Sequence, residues 1–186
     1  MTTLAPLLGE PLPVELMNTV WADRDGVYDA LETVGAANEW LRAKDLPTVD
    51  GLGLIELTML RDAVRRLASV TTGDERPSAA SAVTTRKAAL AILNEATARS
   101  PIWSTLEWPA AGEPRKQVSS TGVASVALLA EQAVDLFAGP PKDELRACLA
   151  PGCVLYFVRQ HPRREWCSAG CGNRARVARH YQRHHA

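Results

Sequence analysis

Cysteine is missing from the first 147 of the 186 residues, and all four thiols fall in the last 39. That absence excludes a disulfide network across the body of the chain and confines thiol chemistry to one end. Aromatic residues are scarce at 5%, so aliphatic side chains must supply most of the core. Long apolar runs are missing as well. The most apolar stretch, 123–130, is interrupted by Ser125 and stops at Glu131, far short of the ~20 residues a membrane helix needs. The opening segment, MTTLAPLLGEPLP, shows neither the basic start nor the apolar run of a signal peptide. These absences predict a soluble cytoplasmic protein with no membrane partner. There is no P-loop, no dinucleotide-binding glycine pattern and no recognisable nucleophile and base pair, which makes an enzyme the weakest of the function classes. What remains is ordinary: 46% apolar and 23% charged residues predict a compact fold.

The net charge of zero hides a division. Residues 1–141 carry 12 Lys and Arg against 18 Asp and Glu, while residues 142–186 carry 9 against 3. An acidic body followed by a basic end predicts contact with a polyanion. The competing reading is internal, with the basic end docked on the acidic body.

Cys148, Cys153, Cys167 and Cys171 are separated by four, thirteen and three residues. Cytosolic thiols stay reduced, and two close pairs can each form one edge of a tetrahedron of sulfurs around zinc. The segment from Pro141 has 46 residues and few large apolar side chains, among them Leu155, Tyr156, Phe157, Val158, Trp166, Val177 and Tyr181. So thin a core needs a metal, and one structural Zn2+ supplies about 10–16 kcal/mol of apparent binding energy. CLAPGC holds Pro151 and Gly152, residues suited to the tight turn of a zinc knuckle. VLYFVRQ reads as a strand and EWC as its hairpin return. Ser168 is the expected N-cap of a final helix, with Cys167 and Cys171 on its entering turn. A knuckle pair plus a pair at a helix start describes a treble-clef-like site.

From Cys171 to His185 there is no proline. A helical wheel puts Cys171, Arg174, Val177, Ala178 and Tyr181 on one side and Arg176, Arg179, His180 and Arg183 on the other. The second face is cationic without a balancing acid, which suits phosphate oxygens and guanine edges. Arg176, Arg179, His180 and Arg183 are therefore candidate DNA contacts, joined by Arg163 and Arg164 from the preceding loop. Arg174 and Asn173 fall beside the metal, where they are expected to hydrogen-bond sulfur and support the cage.

Residues 1–140 read as a mostly helical regulatory domain and 141–186 as a four-cysteine zinc finger with a basic carboxy-terminal helix. The fold class is mainly α with a small β-hairpin. Leu31, Val34, Ala37, Trp40 and Leu41 mark one amphipathic helix, Leu57, Leu60, Val64 and Leu67 a second, and Ala88, Ala89, Ile92, Leu93 and Ala96 a third. TGDERPSAAS is expected to be a loop. IWSTLEW and KQVSS form the expected hairpin, and a helix over 123–137 ends at GPPKD. Asn18, Trp21, Trp103 and Trp108 are candidate ligand contacts, although core packing is the favoured role for the tryptophans of the hairpin, Trp103 and Trp108.

The stretch WCSAGCGNRARVARHY, with Cys148 and Cys153 upstream, resembles the CGNR zinc finger family of bacterial proteins, whose name Cys171-Gly172-Asn173-Arg174 spells. LPVELMNTV is similar to the LDFVNT type of opening of the domain that precedes this finger, with Glu15 at the acid and Asn18 and Thr19 matching. RQHPRRE looks shorter than the corresponding segment of many members. Members are described as candidate stress-induced transcription regulators with a helical amino-terminal domain. The resemblance implies zinc on the four cysteines and DNA as the partner of the last helix. The leading expectation is a zinc-dependent DNA-binding regulator whose helical domain senses a small-molecule ligand or mediates homodimerisation. The alternative is a zinc-stabilised adaptor for a protein partner or RNA.

Overall fold

A computed structural model describes residues 5–77, 81–99 and 101–185. Six helices and three separate antiparallel strand pairs follow one another along the chain. The order is α1 (Leu12–Met17), β1 (Val20–Ala22), β2 (Val27–Asp29), α2 (Val34–Ala43), α3 (Gly51–Thr72), α4 (Arg86–Arg99), β3 (Ile102–Glu107), β4 (Arg115–Ser120), α5 (Ala124–Ala138), a 3-10 turn (Pro140–Glu144), β5 (Leu145–Ala147), β6 (Tyr156–Val158) and α6 (Ala169–His185).

Helix α3 is the central element. The Asp50 side chain accepts from the Gly53 amide at 2.8 Å and starts it. Leu57, Leu60, Ala63, Val64, Leu67 and Ala68 then recur on one stripe and are all buried. That stripe packs against α1, α4 and α5. Thr33 caps α2 in the same way, accepting from Ala36, and Ala37, Trp40 and Leu41 of α2 are buried. Helix α4 buries little beyond Ala89 and Leu93, whereas α5 buries Val126, Ala127, Leu129, Ala130, Ala133 and Leu136. The loop expected over 72–81 lies partly outside the described residues, at 78–80.

The strands bring two corrections and one addition. β3 pairs with β4 from Ile102 opposite Ser120 to Glu107 opposite Arg115. Trp103 in β3 and Trp108 just after it remain 48% and 71% exposed, so the hairpin tryptophans are not packed into the core as expected. The strand in VLYFVRQ does not pair with EWC. It is β6, and it pairs with the upstream β5, Leu145 opposite Val158 and Ala147 opposite Tyr156. Leu145 is buried at that position, while Pro162 and the turn closed by Arg164 N–H to His161 C=O carry the chain away from β6. The addition is the β1–β2 ribbon, Val20 opposite Asp29, closed over Asp23 to Gly26.

One hydrophobic cluster extends from the helices into the cysteine-bearing end. It joins Leu16, Met17, Leu57, Leu60 and Leu129 to Leu145, Tyr156, Phe157 and the four cysteines. The second edge of β6 explains how. Val154, just before β6, and Tyr156 and Val158 within it turn backbone polar groups away from β5, and side chains of the amino-terminal segment and of α3 meet them as a third strand would. Asn18 Nδ2 donates to Tyr156 C=O and Asn18 Oδ1 accepts from Tyr156 N–H, each at 2.9 Å. Glu10 Oε2 accepts from Val158 N–H at 2.9 Å, and Arg65 Nη2 reaches Val154 C=O at 3.4 Å. Buried backbone groups need such partners.

Candidate metal centre and basic helix

The knuckle is built by backbone geometry. Cys153 N–H donates to Ala150 C=O at 2.9 Å, and Cys148 N–H to Leu155 C=O at 2.8 Å. Gly152 takes φ +73° in this turn, a left-handed conformation that costs little only for glycine. The other two thiols ride on the start of α6. Ser168 Oγ accepts from Cys171 N–H at 3.2 Å and caps the helix. Gly172 lets the helix approach Trp166, since a Cβ there would lie 3.0 Å from Trp166 Cδ1.

These two structures bring four buried sulfurs to within 4.8 Å of one another. Cys153 and Cys167 Sγ are 3.9 Å apart, and Cys167 and Cys171 Sγ 3.4 Å. A tetrahedron with Zn–S bonds of about 2.3 Å has edges of about 3.8 Å, so the spacing fits. The electrostatics fit too. Hydrogen bonds from Cys153 and Cys167 pull the Cys148 thiol down to about 2. Cys153, holding its proton against Cys148, is pushed up to about 12, and Cys167 is driven well above the usual thiol range for the same reason. Buried thiols this close ionise together only around a cation, and a divalent ion with four thiolates is the closed donor set of a structural zinc site.

Arg174 Nη2 donates to Cys171 Sγ at 3.0 Å, offsetting the negative charge that four thiolates bring to the cage. Asn173 is exposed. Two neighbours from the helical body are not legible in the sequence as site residues. Asp74, in the loop after α3, is buried, with a side chain 1% exposed. It grips Arg76 through Nε to Oδ1 at 2.7 Å and Nη2 to Oδ2 at 2.8 Å. Arg76 Nη1 then donates to Cys148 C=O at 3.0 Å and Cys153 C=O at 2.8 Å. Burial opposes ionisation of Asp74, but the hydrogen bonds from Arg76 outweigh it and hold the carboxyl below its ordinary value. Tyr156 Oη donates to the same carboxylate at 3.3 Å.

Beyond Ala175, α6 leaves the body. Arg176, Val177, Arg179, His180, Tyr181 and Arg183 are all exposed. Val177 and Tyr181 are therefore not part of the finger's core, at 47% and 60% exposure. Burial on α6 is confined to its first two turns, at Cys171, Gly172 and Ala175. Among the described residues no acidic side chain pairs with Arg163, Arg176, Arg179 or Arg183. Arg164 is different. It forms a very short contact with the buried Glu10 carboxylate, donates to Val158 C=O and Cys167 C=O at 3.0 Å each, and lies 4.9 Å over the Phe157 ring.

None of the recesses described is lined by Asn18, Trp21, Trp103 or Trp108. Asn18 is wholly buried on β6, and Trp21 stacks on Tyr28 with ring centroids 5.4 Å apart. A recess of about 780 Å3 lies between the end of α3 and β5, and its walls include Thr72, Glu75, Arg76, Lys142, Arg146 and Leu149.

Fold and site thus define a helical protein carrying a four-cysteine zinc finger that ends in a basic helix. The comparisons narrow this further. Residues 10–140 match the ABATE family, described as "putative stress-induced transcription regulator", and residues 144–184 match the CGNR zinc finger. The first match alone spans more than half of the chain, which belongs to the ABATE family. The four cysteines are positioned for one structural zinc ion. No curated protein matches the sequence. Neither family description names a catalytic activity, and no helix among the described residues is long and apolar enough to cross a membrane.

Proposed function

We propose that this chain is a cytoplasmic, zinc-dependent DNA-binding transcription regulator, with α6 as its DNA-contacting element. The carrying observation is the projection of α6: its first turn is anchored by Cys171 at the metal site, and its remainder presents Arg176, Arg179 and Arg183 without acidic partners among the described residues. Beyond Ala175 the helix packs no stripe on the body, and even its apolar Val177 and Tyr181 stay exposed, so it has a surface to offer another macromolecule. Its 17 residues span about 25 Å, long enough to cross a major groove about 12 Å wide. Arg163 borders the same end of the helix and is exposed. Arg164 is omitted from the contact set because its guanidinium serves Glu10. The helical domain regulates the finger, and the recess beside Arg76 offers a small-molecule ligand a more open site than the buried Asn18 does.

Salt dependence tests the reading. Four phosphate contacts give a slope of log affinity against log salt near −4, at about −0.9 each. Changing Arg176, Arg179 and Arg183 together to Ala is expected to bring the slope to about −1 while zinc content stays at one ion per chain. Binding to a random DNA pool that is absent, or that ignores both salt and the triple change, refutes the proposal and favours an adaptor. The exposed Val177 and Tyr181 would then be its protein-facing side.

A further inference from the structure

We infer that Arg76 is a positioning residue of the zinc site, so that the helical domain completes the knuckle. This rests on the zinc reading above. The knuckle loop from Cys148 to Cys153 encloses only four residues, and its two ligand-bearing ends present their carbonyls toward the body of the protein. One guanidinium nitrogen, Arg76 Nη1, bridges both carbonyls at 3.0 and 2.8 Å. It therefore fixes the separation of the two backbone positions from which the Cys148 and Cys153 sulfurs reach the metal. The remaining nitrogens are occupied by Asp74, whose side chain is 1% exposed, in a two-point grip that fixes the plane of the guanidinium. Tyr156, three residues past Cys153, closes the circuit by donating to the same carboxylate. Ligand groups held by an outer layer of this kind bind metal more tightly because the cage is set before the ion arrives.

The arrangement differs from the Arg174 contact in kind. Arg174 meets sulfur and acts on the charge of the cage, and it belongs to the finger itself. Arg76 meets backbone, acts on the shape of the cage, and comes from a distant loop, its contact with Cys148 spanning 72 positions. Arginine is required by this geometry. A lysine ammonium is a point donor that cannot bridge two carbonyls while holding both oxygens of a carboxylate. Arg76 also borders the open recess between α3 and β5, so whatever occupies that recess sits against the residue that shapes the knuckle.

The test uses the full chain, with zinc affinity read by competition against a chromophoric chelator and cage geometry read from the ligand-field absorption of the cobalt-substituted protein. Arg76→Ala is expected to weaken zinc binding by about 10–100-fold and to shift the cobalt bands. Arg76→Lys, which keeps charge and bulk, is expected to stay within a few-fold of alanine and serves as the measurement should the alanine variant not fold. Arg61→Ala is the control. It removes another guanidinium with a side chain only 6% exposed, one that pairs with Asp29 and Asp62, and it should leave affinity and cobalt spectrum as in the wild type. Affinity in the Arg76 variants equal to wild type, or reduced no more than in Arg61→Ala, overturns the inference. A wild-type chain that binds no zinc overturns the site reading itself and the clamp with it.

Discussion

Replacing Asn18 by alanine probes how the two halves of the molecule are joined. Asn18 is wholly buried, and its amide makes two 2.9 Å hydrogen bonds to the backbone of Tyr156, one donated and one accepted. Alanine leaves the N–H and the C=O of Tyr156 buried without partners. Each orphaned group costs about 1–3 kcal/mol, so the pair costs about 2–6 kcal/mol. In a domain of this size one kcal/mol shifts the thermal midpoint by roughly 2–4 °C. A central loss of ~4 kcal/mol therefore lowers the midpoint by about 8–16 °C. The measurement is thermal denaturation of the zinc-loaded protein with no added ligand, followed by circular dichroism. A ligand-contact role for Asn18 makes the opposite prediction, since removing a contact to an absent molecule leaves the free protein as stable as before. A midpoint within about 2 °C of wild type, less than one kcal/mol by the same conversion, refutes the side-chain edge described for β6.

Two further outcomes follow from the same geometry. Arg164→Ala strands the Glu10 carboxylate, whose side chain is 0% exposed, and breaking a buried pair on one side costs about 3–5 kcal/mol; chemical denaturation should show that loss, while DNA affinity of the folded variant stays within about threefold of wild type, and a large affinity loss with unchanged stability would return Arg164 to the DNA surface. Gly152→Ala forces a side chain into φ +73° and should cost about 1–2 kcal/mol, with Gly152→Asn costing less; equal stability of all three proteins in a thermal scan at saturating zinc would contradict the knuckle turn.

The parts of this fold visible in the sequence are those decided by near neighbours. The periodicity of Leu57, Leu60, Val64 and Leu67 places α3, because a buried stripe on a helix repeats within seven residues. The spacing of the four cysteines and Ser168 places the metal cluster and the helix cap for the same reason. What stays hidden depends on partners distant in the chain. Arg65 is 2% exposed between Met17 C=O and Val154 C=O, and nothing within one helical turn reveals its role. A signal is nevertheless present: Arg61 and Arg65 continue the four-residue spacing from Leu57, and a cation on an apolar stripe must have a buried partner. Asp74 and Arg76 read as loop polarity, since a two-residue spacing of opposite charges is common and the target, the knuckle backbone, lies 72 positions away. The pairing of β6 escapes sequence reasoning because three-residue strands carry too little pattern to choose between an upstream and a downstream partner.

The opposed charges of the two parts of the chain have a physical division of labour. Internal docking and polyanion binding are competing readings of the same imbalance, and the described contacts commit some arginines to acidic partners while giving others none. Arg164 pairs with Glu10, so this cation is committed to holding the finger on the body, while Arg159 pairs with Glu144 inside the finger segment. Arg76 and Asp74 reinforce the same junction from the opposite chain segment. The arginines past Ala175 have no part in that junction, because α6 has already left the core when it reaches them. Docking therefore does not neutralise the basic helix; it fixes the base from which the helix projects. The metal and the β6 edge act on that base together. Loss of either should release the direction of α6 before it changes the charge that α6 carries, and under the proposed DNA-binding role specific affinity should weaken more than the nonspecific, purely electrostatic part.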